Sequence, residues 1–280
     1  MSDFRAGGLS ALRAKIAAIE AGGRSDAAVL PFGEAAIDGC LPGGGLPLGG
    51  WHEVAAEGLE VETAAAPAAF TALMAAPLAT PYPSTGQVAG RPGGEVVWVL
   101  RRDDLWAPGL AGLGLDPERL ICVCVRDEAE VLAVMEDALS TTGVAAVVGE
   151  VEAADLTAGR RLQLACEKQR ATGFLIRRRP FGGLARKPAT GSAAATRWRV
   201  ASAPSEPPAG EFGLGAPRFR VTLERTRGGR TGTWLLEAQN AFEPGAYRLD
   251  EDHGTHPLRL VAELGDRQLA PAQPFRRAAA

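Results

Sequence analysis

Hydrophobic positions along this chain fall into short continuous runs separated by stretches with helical spacing. The continuous runs, which predict strands, are Trp51–Ala55, Glu95–Leu100, Leu120–Val125, Gly143–Val148 and Gly173–Arg177. Helical spacing covers Ala64–Ala76, Leu105–Leu113, Glu128–Ser140 and Ala158–Ala171. Continuous apolar strands separated by helices are typical of a parallel sheet covered on both faces. We therefore predict an α/β fold with a mainly parallel sheet flanked by helices.

The pattern changes to strict alternation from Trp198 onward. Apolar residues recur at every second position around Phe219 and again around Trp234, with Gly228-Gly229 between these two runs. Alternating runs joined by a glycine turn predict an antiparallel hairpin. We expect these strands to extend one edge of the sheet.

The two ends of the chain have patterns of their own. Leu9, Leu12, Ile16 and Ile19 recur at helical spacing and predict a short amphipathic helix. The end of the chain is rich in Pro, Ala and charge, and LRLVAEL is the one segment there that is able to pack. We interpret this end as a partner-docking tail or a disordered end.

Composition places the chain among ordinary globular proteins. Apolar residues make up 46% of the 280 residues and the mean hydropathy is −0.01. No apolar run approaches the roughly 18 residues of a membrane span, and the first residues are polar, so we expect a cytoplasmic protein without membrane contact. The cysteines and histidines lack metal-ligand spacing, and neither a metal nor a cofactor is expected. Cys122 and Cys124 lie in the apolar run LICVCV, where buried free thiols are common.

Charge is segregated along the chain. Residues 1–157 hold 9 Lys and Arg against 22 Asp and Glu, whereas residues 158–230 hold 16 against 4. A basic block of this kind indicates an anionic partner, either nucleic acid or an acidic protein surface. The alternative is that the basic and acidic segments pair with each other within one fold.

A strand, loop and helix follow one another where a phosphate-binding loop would lie. The loop carries Glu57, Gly58, Glu60, Glu62 and Thr63, without the lysine and the glycine-rich cradle that hold phosphates. Carboxylates near a nucleotide triphosphate repel it. We therefore do not expect this loop to bind a nucleotide.

Four segments, taken in order, carry a resemblance to a known family. They are LPGGGLPLGGWHEVA, EVVWVLRRDDLWAPGLAGLGLDPERLICVCV, GVAAVVGEVEAADL and RFRVTLERTRGGRTGTWLLE. Their order resembles the RecA-like ATPase core and, more closely, the ImuA family of SulA/RecA-like accessory proteins in translesion synthesis. The resemblance covers roughly Phe32–Leu249. It implies a RecA-like domain with a degenerate P-loop in residues 31–249. With the patterns at the two ends, the predicted organisation is an N-terminal amphipathic helix in 1–30, this domain, and a tail in 250–280.

The resemblance also implies positions for the former ATPase site. Thr63 falls at the Walker A hydroxyl, Glu62 at the Walker A lysine, Asp103 near the catalytic carboxylate and Glu150 at the Walker B acid. Because the lysine is replaced, we expect no ATPase activity and no catalytic residue. The implied use of the fold is as a scaffold.

The densest basic run occupies the position of a loop that RecA relatives use for single-stranded DNA. The candidate DNA-binding or partner-binding residues are Arg177, Arg178, Arg179, Phe181, Arg186, Lys187 and Arg197. Phe181 is the single base-stacking aromatic among them, so contact with phosphates and little sequence preference are expected. These arginines could instead dock an acidic partner or pair with the acidic half of the chain.

The function that the resemblance implies is that of a non-hydrolysing adaptor in SOS-type mutagenic translesion synthesis. Its implied partners are an ImuB-type polymerase-like protein, an error-prone polymerase III alpha-type subunit and RecA, together with single-stranded DNA. Two alternatives remain open from the residues. One is a divergent DNA-dependent ATPase or recombination mediator, and the other is a SulA-like inhibitor of cell division.

Overall fold

A nine-stranded mixed sheet forms the centre of the molecule. The computed structural model describes residues 28–58, 65–80, 93–178, 192–207, 209–239 and 256–264. The sheet strands are β3 (Trp51–Ala56), β4 (Glu95–Leu100), β5 (Leu120–Cys124), β6 (Val144–Val151), β7 (Thr172–Arg177), β8 (Thr196–Ala203), β9 (Arg218–Thr226), β10 (Gly232–Ala238) and β11 (Leu258–Glu263). Two short strands, β1 (Val29–Leu30) and β2 (Leu46–Pro47), pair separately.

The strand order is β11-β10-β9-β8-β3-β7-β6-β4-β5. In the half of the sheet that runs β8-β3-β7-β6-β4-β5, all neighbouring strands are parallel. In the other half, β8 pairs with β9, β9 with β10 and β10 with β11, each time antiparallel. The predicted α/β fold with antiparallel strands along one edge is therefore confirmed. One detail differs, because β8, which begins the alternating pattern, is parallel to β3, with Thr196 beside His52. β8 thus joins the two halves of the sheet.

Five α-helices and one 3₁₀ turn accompany the strands in the described ranges. They are α1 (Ala35–Asp38), α2 (Ala65–Ala79), α3 (Ala107–Ala111), the 3₁₀ turn Pro117–Arg119, α4 (Glu128–Leu139) and α5 (Leu156–Gln169). Almost every residue of α2 is buried, which explains why its sequence is apolar all round. α4 and α5 each begin at an aspartate, Asp127 and Asp155, whose carboxylate accepts a backbone N–H of the first turn.

The helices divide the apolar core between the two faces of the sheet. On one face, Phe70 and Leu73 of α2 belong to a cluster with Trp98 and Trp198. On the other face, α4 and α5 cover β4, β6 and β7. Gly149 in β6 shows how closely α4 lies, since a Cβ atom at this position would be 2.1 Å from the sulfur of Met135. The backbone before Glu150 is fixed in this way.

A buried chain of hydrogen bonds holds the glycine-rich segment against the sheet. His52 is fully buried, and its Nδ1 lies 2.7 Å from Thr196 Oγ1 while its Nε2 lies 2.9 Å from the carbonyl oxygen of Pro47. The indole of Trp198 donates to the same Thr196 oxygen at 2.7 Å. Burial lowers the pKa of His52 to about 4, against a raising contribution from the Pro47 carbonyl, so the ring is neutral at pH 7. With Nε2 donating to Pro47 and Nδ1 accepting from Thr196, both ring nitrogens of His52 and the Trp198 indole N–H have a hydrogen-bond partner.

The two glycine motifs of the sequence meet in the structure. The turn between β9 and β10 contains Gly228 at φ +75° and Gly229, and a Cβ atom on Gly229 would lie 2.1 Å from the carbonyl oxygen of Cys40. Arg230 N donates to that same oxygen at 2.9 Å. Cys40 directly precedes the LPGGG motif. The Gly228-Gly229 turn and the LPGGG segment therefore pack against each other at the carbonyl group of Cys40.

The predicted tail contributes the last strand of the sheet. Leu260 N in β11 donates to Glu34 Oε1 at 2.8 Å, and the ring of His256 stacks on Phe32 with centroids 4.3 Å apart. The LRLVAEL segment, the one part of this end that its pattern made able to pack, forms β11 and completes the antiparallel edge of the sheet, so this stretch is neither a free tail nor disordered.

The helix predicted around Leu9–Ile19 lies outside the described residues. None of the described helices combines the length and the apolar character needed to cross a bilayer.

Thr196→Val tests the buried hydrogen-bond chain. The substitution keeps the shape of the side chain but leaves His52 Nδ1 and the Trp198 indole without their partner, so we expect the free energy of unfolding to fall by about 2 kcal/mol. Urea denaturation at pH 7 measures this change. Thr222→Val, which removes a part-exposed Thr222–Thr233 pair on β9 and β10, is the matched control and should change stability by less than about 0.5 kcal/mol. Equal effects of the two variants would contradict the assigned network.

Candidate functional site

The carboxyl ends of β4, β6 and β7 bring three charged side chains together. These ends lie along one edge of the parallel half of the sheet, where α/β proteins usually bind their ligands. β4 is followed by Arg101-Arg102-Asp103-Asp104, β6 ends near Glu150, and Arg178 follows β7. Which of these charges meet decides what the site can do.

Glu150 is a buried carboxylate with two partners. Its residue exposure is 5%. Oε1 accepts a hydrogen bond from the Trp98 indole at 3.0 Å, and Oε2 accepts one from Arg178 Nη1 at 2.7 Å. Both oxygens of this carboxylate are thus engaged by side chains of the same chain.

Arg178 bridges Glu150 and Asp104. Its Nη1 and Nη2 donate to the two oxygens of Asp104 at 2.8 and 2.7 Å, which is the two-pronged arrangement that makes Arg–carboxylate pairs strong. Arg102 Nε also approaches Asp104, at 3.6 Å. We call Glu150, Arg178 and Asp104 the strand-end triad.

Protonation of the triad follows from these contacts. The hydrogen bond from Arg178 lowers the pKa of Asp104 despite partial burial. Burial disfavours the charge of Arg178, but the hydrogen bonds and charges of Asp104 and Glu150 outweigh it and raise the pKa of the guanidinium. Arg178 therefore carries a fixed positive charge among the strand ends.

A second ion cluster lies at β3, β7 and β8. Glu53 is 5% exposed, and its Oε2 accepts hydrogen bonds from Nε and Nη2 of Arg197 at 3.1 Å. Arg177 Nη1 lies 3.4 Å from Glu53 Oε1, and Arg177 Nε donates to the carbonyl oxygen of Glu152 at 3.2 Å. This cluster ties the middle strands of the sheet together.

Three of the candidate basic residues are thus paired within the fold. Arg177, Arg178 and Arg197 each contact a carboxylate of the acidic half of the chain, and their side chains are between 16% and 18% exposed. For these three, the structure favours the interpretation that basic and acidic segments pair with each other. Arg179, Phe181, Arg186 and Lys187 lie outside the described residues.

The candidate phosphate-loop residues are only partly described. Glu57 pairs with Arg220 of β9, with Oε2 and Nη2 2.9 Å apart, and Gly58 adopts φ +100°, a conformation that favours glycine. Glu60, Glu62 and Thr63 lie outside the described residues. Asp103 is exposed and Asp104, beside it, makes the contact with Arg178.

Sequence reasoning missed Asp104, Trp98 and Glu53. The pattern RRDD offers two adjacent carboxylates, and choosing between them requires the direction of the chain after β4. Trp98 and Glu150 occupy two strands that were predicted to lie in the same parallel sheet, but their contact depends on the strand order, which the sequence pattern does not give. Glu53 carried a signal in being an acidic residue inside an otherwise apolar strand run.

Little space remains beside the triad in the described part of the protein. A cavity of about 10 Å³ is lined by Arg101, Arg102, Glu150 and Arg178, which is room for about one water molecule. No group of three or more metal-ligating side chains occurs among the described residues. Arg178 therefore fills the space between the two carboxylates, and Arg102 approaches Asp104 from outside the triad.

Fold and site together define an α/β protein in which an arginine occupies the acidic strand ends of a parallel sheet. The sequence is 56% identical over 262 residues to Protein ImuA from two strains of Caulobacter vibrioides, NA1000 / CB15N and ATCC 19089 / CIP 103742 / CB 15, and the alignment covers 92% of this chain and 99% of each relative. No protein-family model matches the chain. At this identity and coverage, the chain belongs to the ImuA family.

Arg178→Met tests the triad. The variant leaves Glu150 as a buried charge without its cation, so we expect the free energy of unfolding at pH 7 to fall by about 3 kcal/mol, measured by urea denaturation. Adding Glu150→Gln should restore part of this loss, because the uncompensated charge is removed while Trp98 keeps an acceptor.

The effect of Arg178→Met should also depend on pH. Because Arg178 lowers the pKa of Asp104, this pair contributes stability that is present above the ordinary carboxyl pKa and lost as the pH falls through the lowered value. The difference between native chain and variant should therefore shrink in acid. A difference that is small at pH 7, or that grows in acid, would contradict the assigned pairing.

Proposed function

We propose that this chain is a non-hydrolysing adaptor in SOS-type mutagenic translesion DNA synthesis. The observation that carries the proposal is the position of Arg178, whose guanidinium engages Glu150 and Asp104 at the strand ends. An ATPase of this architecture needs such carboxylates to hold the magnesium ion and to position water. Here the cation is supplied by the chain itself.

The sequence around the phosphate loop supports the same proposal. Glu62 replaces the lysine that would contact the phosphates, and Glu57 is paired with Arg220. The phosphates of a nucleotide triphosphate would lie near several carboxylates that repel them, and Arg178 could not offset this repulsion because it is bound to Glu150 and Asp104. Binding of proteins, without turnover, is the use of the fold that remains consistent with these residues.

The partners in this proposal come from the family. The curated relatives are each named Protein ImuA, and the resemblance of this chain to that family implies assembly with an ImuB-type polymerase-like protein and an error-prone polymerase III alpha-type subunit. RecA and single-stranded DNA are further proposed partners, and the cytoplasm is the proposed location. We propose that contacts to these partners are made by surfaces other than the triad, whose charged groups are already paired with one another.

A DNA contact, if it is made by the predicted basic run, rests on Arg179, Phe181, Arg186 and Lys187. The three neighbouring candidates Arg177, Arg178 and Arg197 are held by carboxylates of the fold. We propose that the first group binds phosphates of single-stranded DNA with little sequence preference.

Assembly with an ImuB-type partner should not depend on nucleotide. Co-purification of the two proteins should give the same yield with ATP and magnesium, with ADP, and after enzymatic removal of nucleotide. The thermal midpoint of the isolated chain should be unchanged by ATP and magnesium, because both carboxylates at the strand ends are already engaged by Arg178. A RecA-type ATPase treated in parallel is the positive control. ATP hydrolysis that is stimulated by single-stranded DNA and abolished by Thr63→Ala would overturn the proposal in favour of the divergent ATPase.

The triple variant Arg179→Glu, Arg186→Glu, Lys187→Glu tests DNA binding. We expect its affinity for a fluorescein-labelled oligo-dT to fall at least tenfold, and the slope of log affinity against log salt to become shallower, because fewer phosphates are neutralised. A control with the same charge change replaces Arg160, Lys168 and Arg170 by Glu, which are exposed residues outside that run. Equal losses in both variants would indicate a non-specific charge effect and contradict the assignment.

A further inference from the structure

The edge strand β5 is apolar, and three of its five residues are exposed. Its sequence is Leu-Ile-Cys-Val-Cys, without a charged residue, and Ile121 is 48% exposed. Cys122 and Cys124 are exposed free thiols, not the buried ones that the apolar run predicted, because β5 lies at the end of the sheet. In the described part of the chain, β4 is the one strand that pairs with β5.

The backbone of β5 offers hydrogen-bonding groups on its free side. Val125 N donates to the carbonyl oxygen of Leu100 in the β4 direction. Because N–H and C=O groups alternate in direction along a strand, the backbone groups of Ile121 and Val123 point toward β4 as well, and those of Leu120, Cys122 and Cys124 point outward. The outward row is the template on which a further strand adds to a sheet.

The opposite edge of the sheet lacks these properties. β11 carries Arg259 and Glu263, and its pairing with β10 shifts register between Leu235 and Leu236. Charges and irregular pairing are common devices that prevent an edge strand from pairing with another chain. The five residues of β5 include no charge, and its pairing with β4 has no register shift. The β11 edge is therefore protected against pairing with another chain, and the β5 edge is not.

The charges that flank β5 are self-complementary. Glu118 and Arg119 precede the strand, and Arg126 and Asp127 follow it. When two copies of one strand pair antiparallel, the residues before the strand in one copy lie beside those after it in the other. Each end of the pair would then bring together basic and acidic residues of both copies. Arg126 contacts Glu130 within its own chain, but its side chain is 89% exposed and accessible to a second acidic group.

We propose that two copies of this chain associate through antiparallel pairing of their β5 strands about a two-fold axis at Cys122. The self-complementary flanks favour a second copy over a strand from an unrelated protein. A two-fold contact uses the same patch on both copies and closes, so the expected product is a dimer and not a filament. The two nine-stranded sheets become one continuous sheet. This inference does not depend on the proposed adaptor function.

The register gives the cysteines distinct neighbours. With the axis at Cys122, this residue faces Cys122 of the second copy in a hydrogen-bonded pair, for which Cα atoms are about 5.5 Å apart. That separation is within the range spanned by a disulfide. Cys124 faces Leu120 of the second copy and has no thiol opposite. The two exposed cysteines therefore report the pairing and its register separately.

Sedimentation equilibrium of the full chain under reducing conditions tests the association. We expect a monomer–dimer equilibrium for the native chain. Cys122→Lys places two ammonium groups opposite each other and should weaken the dimer at least tenfold. Val261→Lys, at a 38%-exposed position on the other edge strand, is the matched control and should leave the equilibrium unchanged. A native chain that stays monomeric at high micromolar concentration, or a dimer that both lysine variants leave intact, would overturn the proposal.

Thiol cross-linking tests the register without altering the edge charge. In a Cys40→Ser background, diamide accepts the two electrons and two protons released when two thiols form a disulfide. The variant that retains Cys122 and carries Cys124→Ser should give a covalent dimer on a non-reducing gel. The reverse variant, Cys122→Ser with Cys124 retained, should give at least fivefold less. Efficient cross-linking through Cys124 alone, or through neither thiol, would overturn the register at Cys122.

Discussion

The carboxylate of Glu150 has to be neutralised, and much of the architecture follows from that constraint. A charge that is 5% exposed at the end of β6 is costly unless it is both paired and hydrogen-bonded. Trp98 supplies the hydrogen bond from β4, and Arg178 supplies the charge from the end of β7. Arg178 also donates hydrogen bonds to Asp104, which follows β4. The ends of the neighbouring strands β4, β6 and β7 therefore meet at this cluster of charges.

The separation of charge along the sequence takes on a structural meaning here. The basic segment supplies Arg177, Arg178 and Arg197, and the acidic half supplies Glu53, Asp104 and Glu150. Residues far apart in the chain are thereby joined across parallel strands. The uneven distribution of charge along the sequence therefore stabilises the fold in part. An anionic partner, which the composition suggested, would have to bind the basic residues that are not in these ion pairs.

Local patterns predicted the elements well and their environments less well. β4 has the bounds that its apolar run predicted, and α4 ends one residue before the predicted end. The exposure of Cys122 could not be read from LICVC, because an apolar run gives the strand but not its place in the strand order. The parallel pairing of β8 was hidden for a similar reason. The alternation of apolar and polar residues in β8 indicates that one face of the strand is buried and the other is more exposed. Parallel and antiparallel strands can both show this pattern.

The site was predictable in kind and not in its pairings. The absence of a lysine between residues 57 and 63 and the presence of an acid at Glu150 were visible in sequence. Which of Asp103 and Asp104 contacts Arg178 depends on the path of the chain after β4, and no local pattern encodes that path. Family resemblance did not help here, because the glycine motifs that carry it meet at Cys40 and Gly229 and serve packing.

The contact of β11 with the beginning of the described chain affects how binding regions can be mapped. Leu260 is hydrogen-bonded to Glu34, and His256 lies on Phe32, so the strand near one terminus is fastened to residues near the other. A deletion series that begins at residue 249 removes β11 and exposes the edge of β10. It also removes the contacts that β11 and His256 make with Glu34 and Phe32. Loss of a partner in such a series would report the damaged sheet. Truncations that begin after residue 264 retain the whole sheet and separate the two effects.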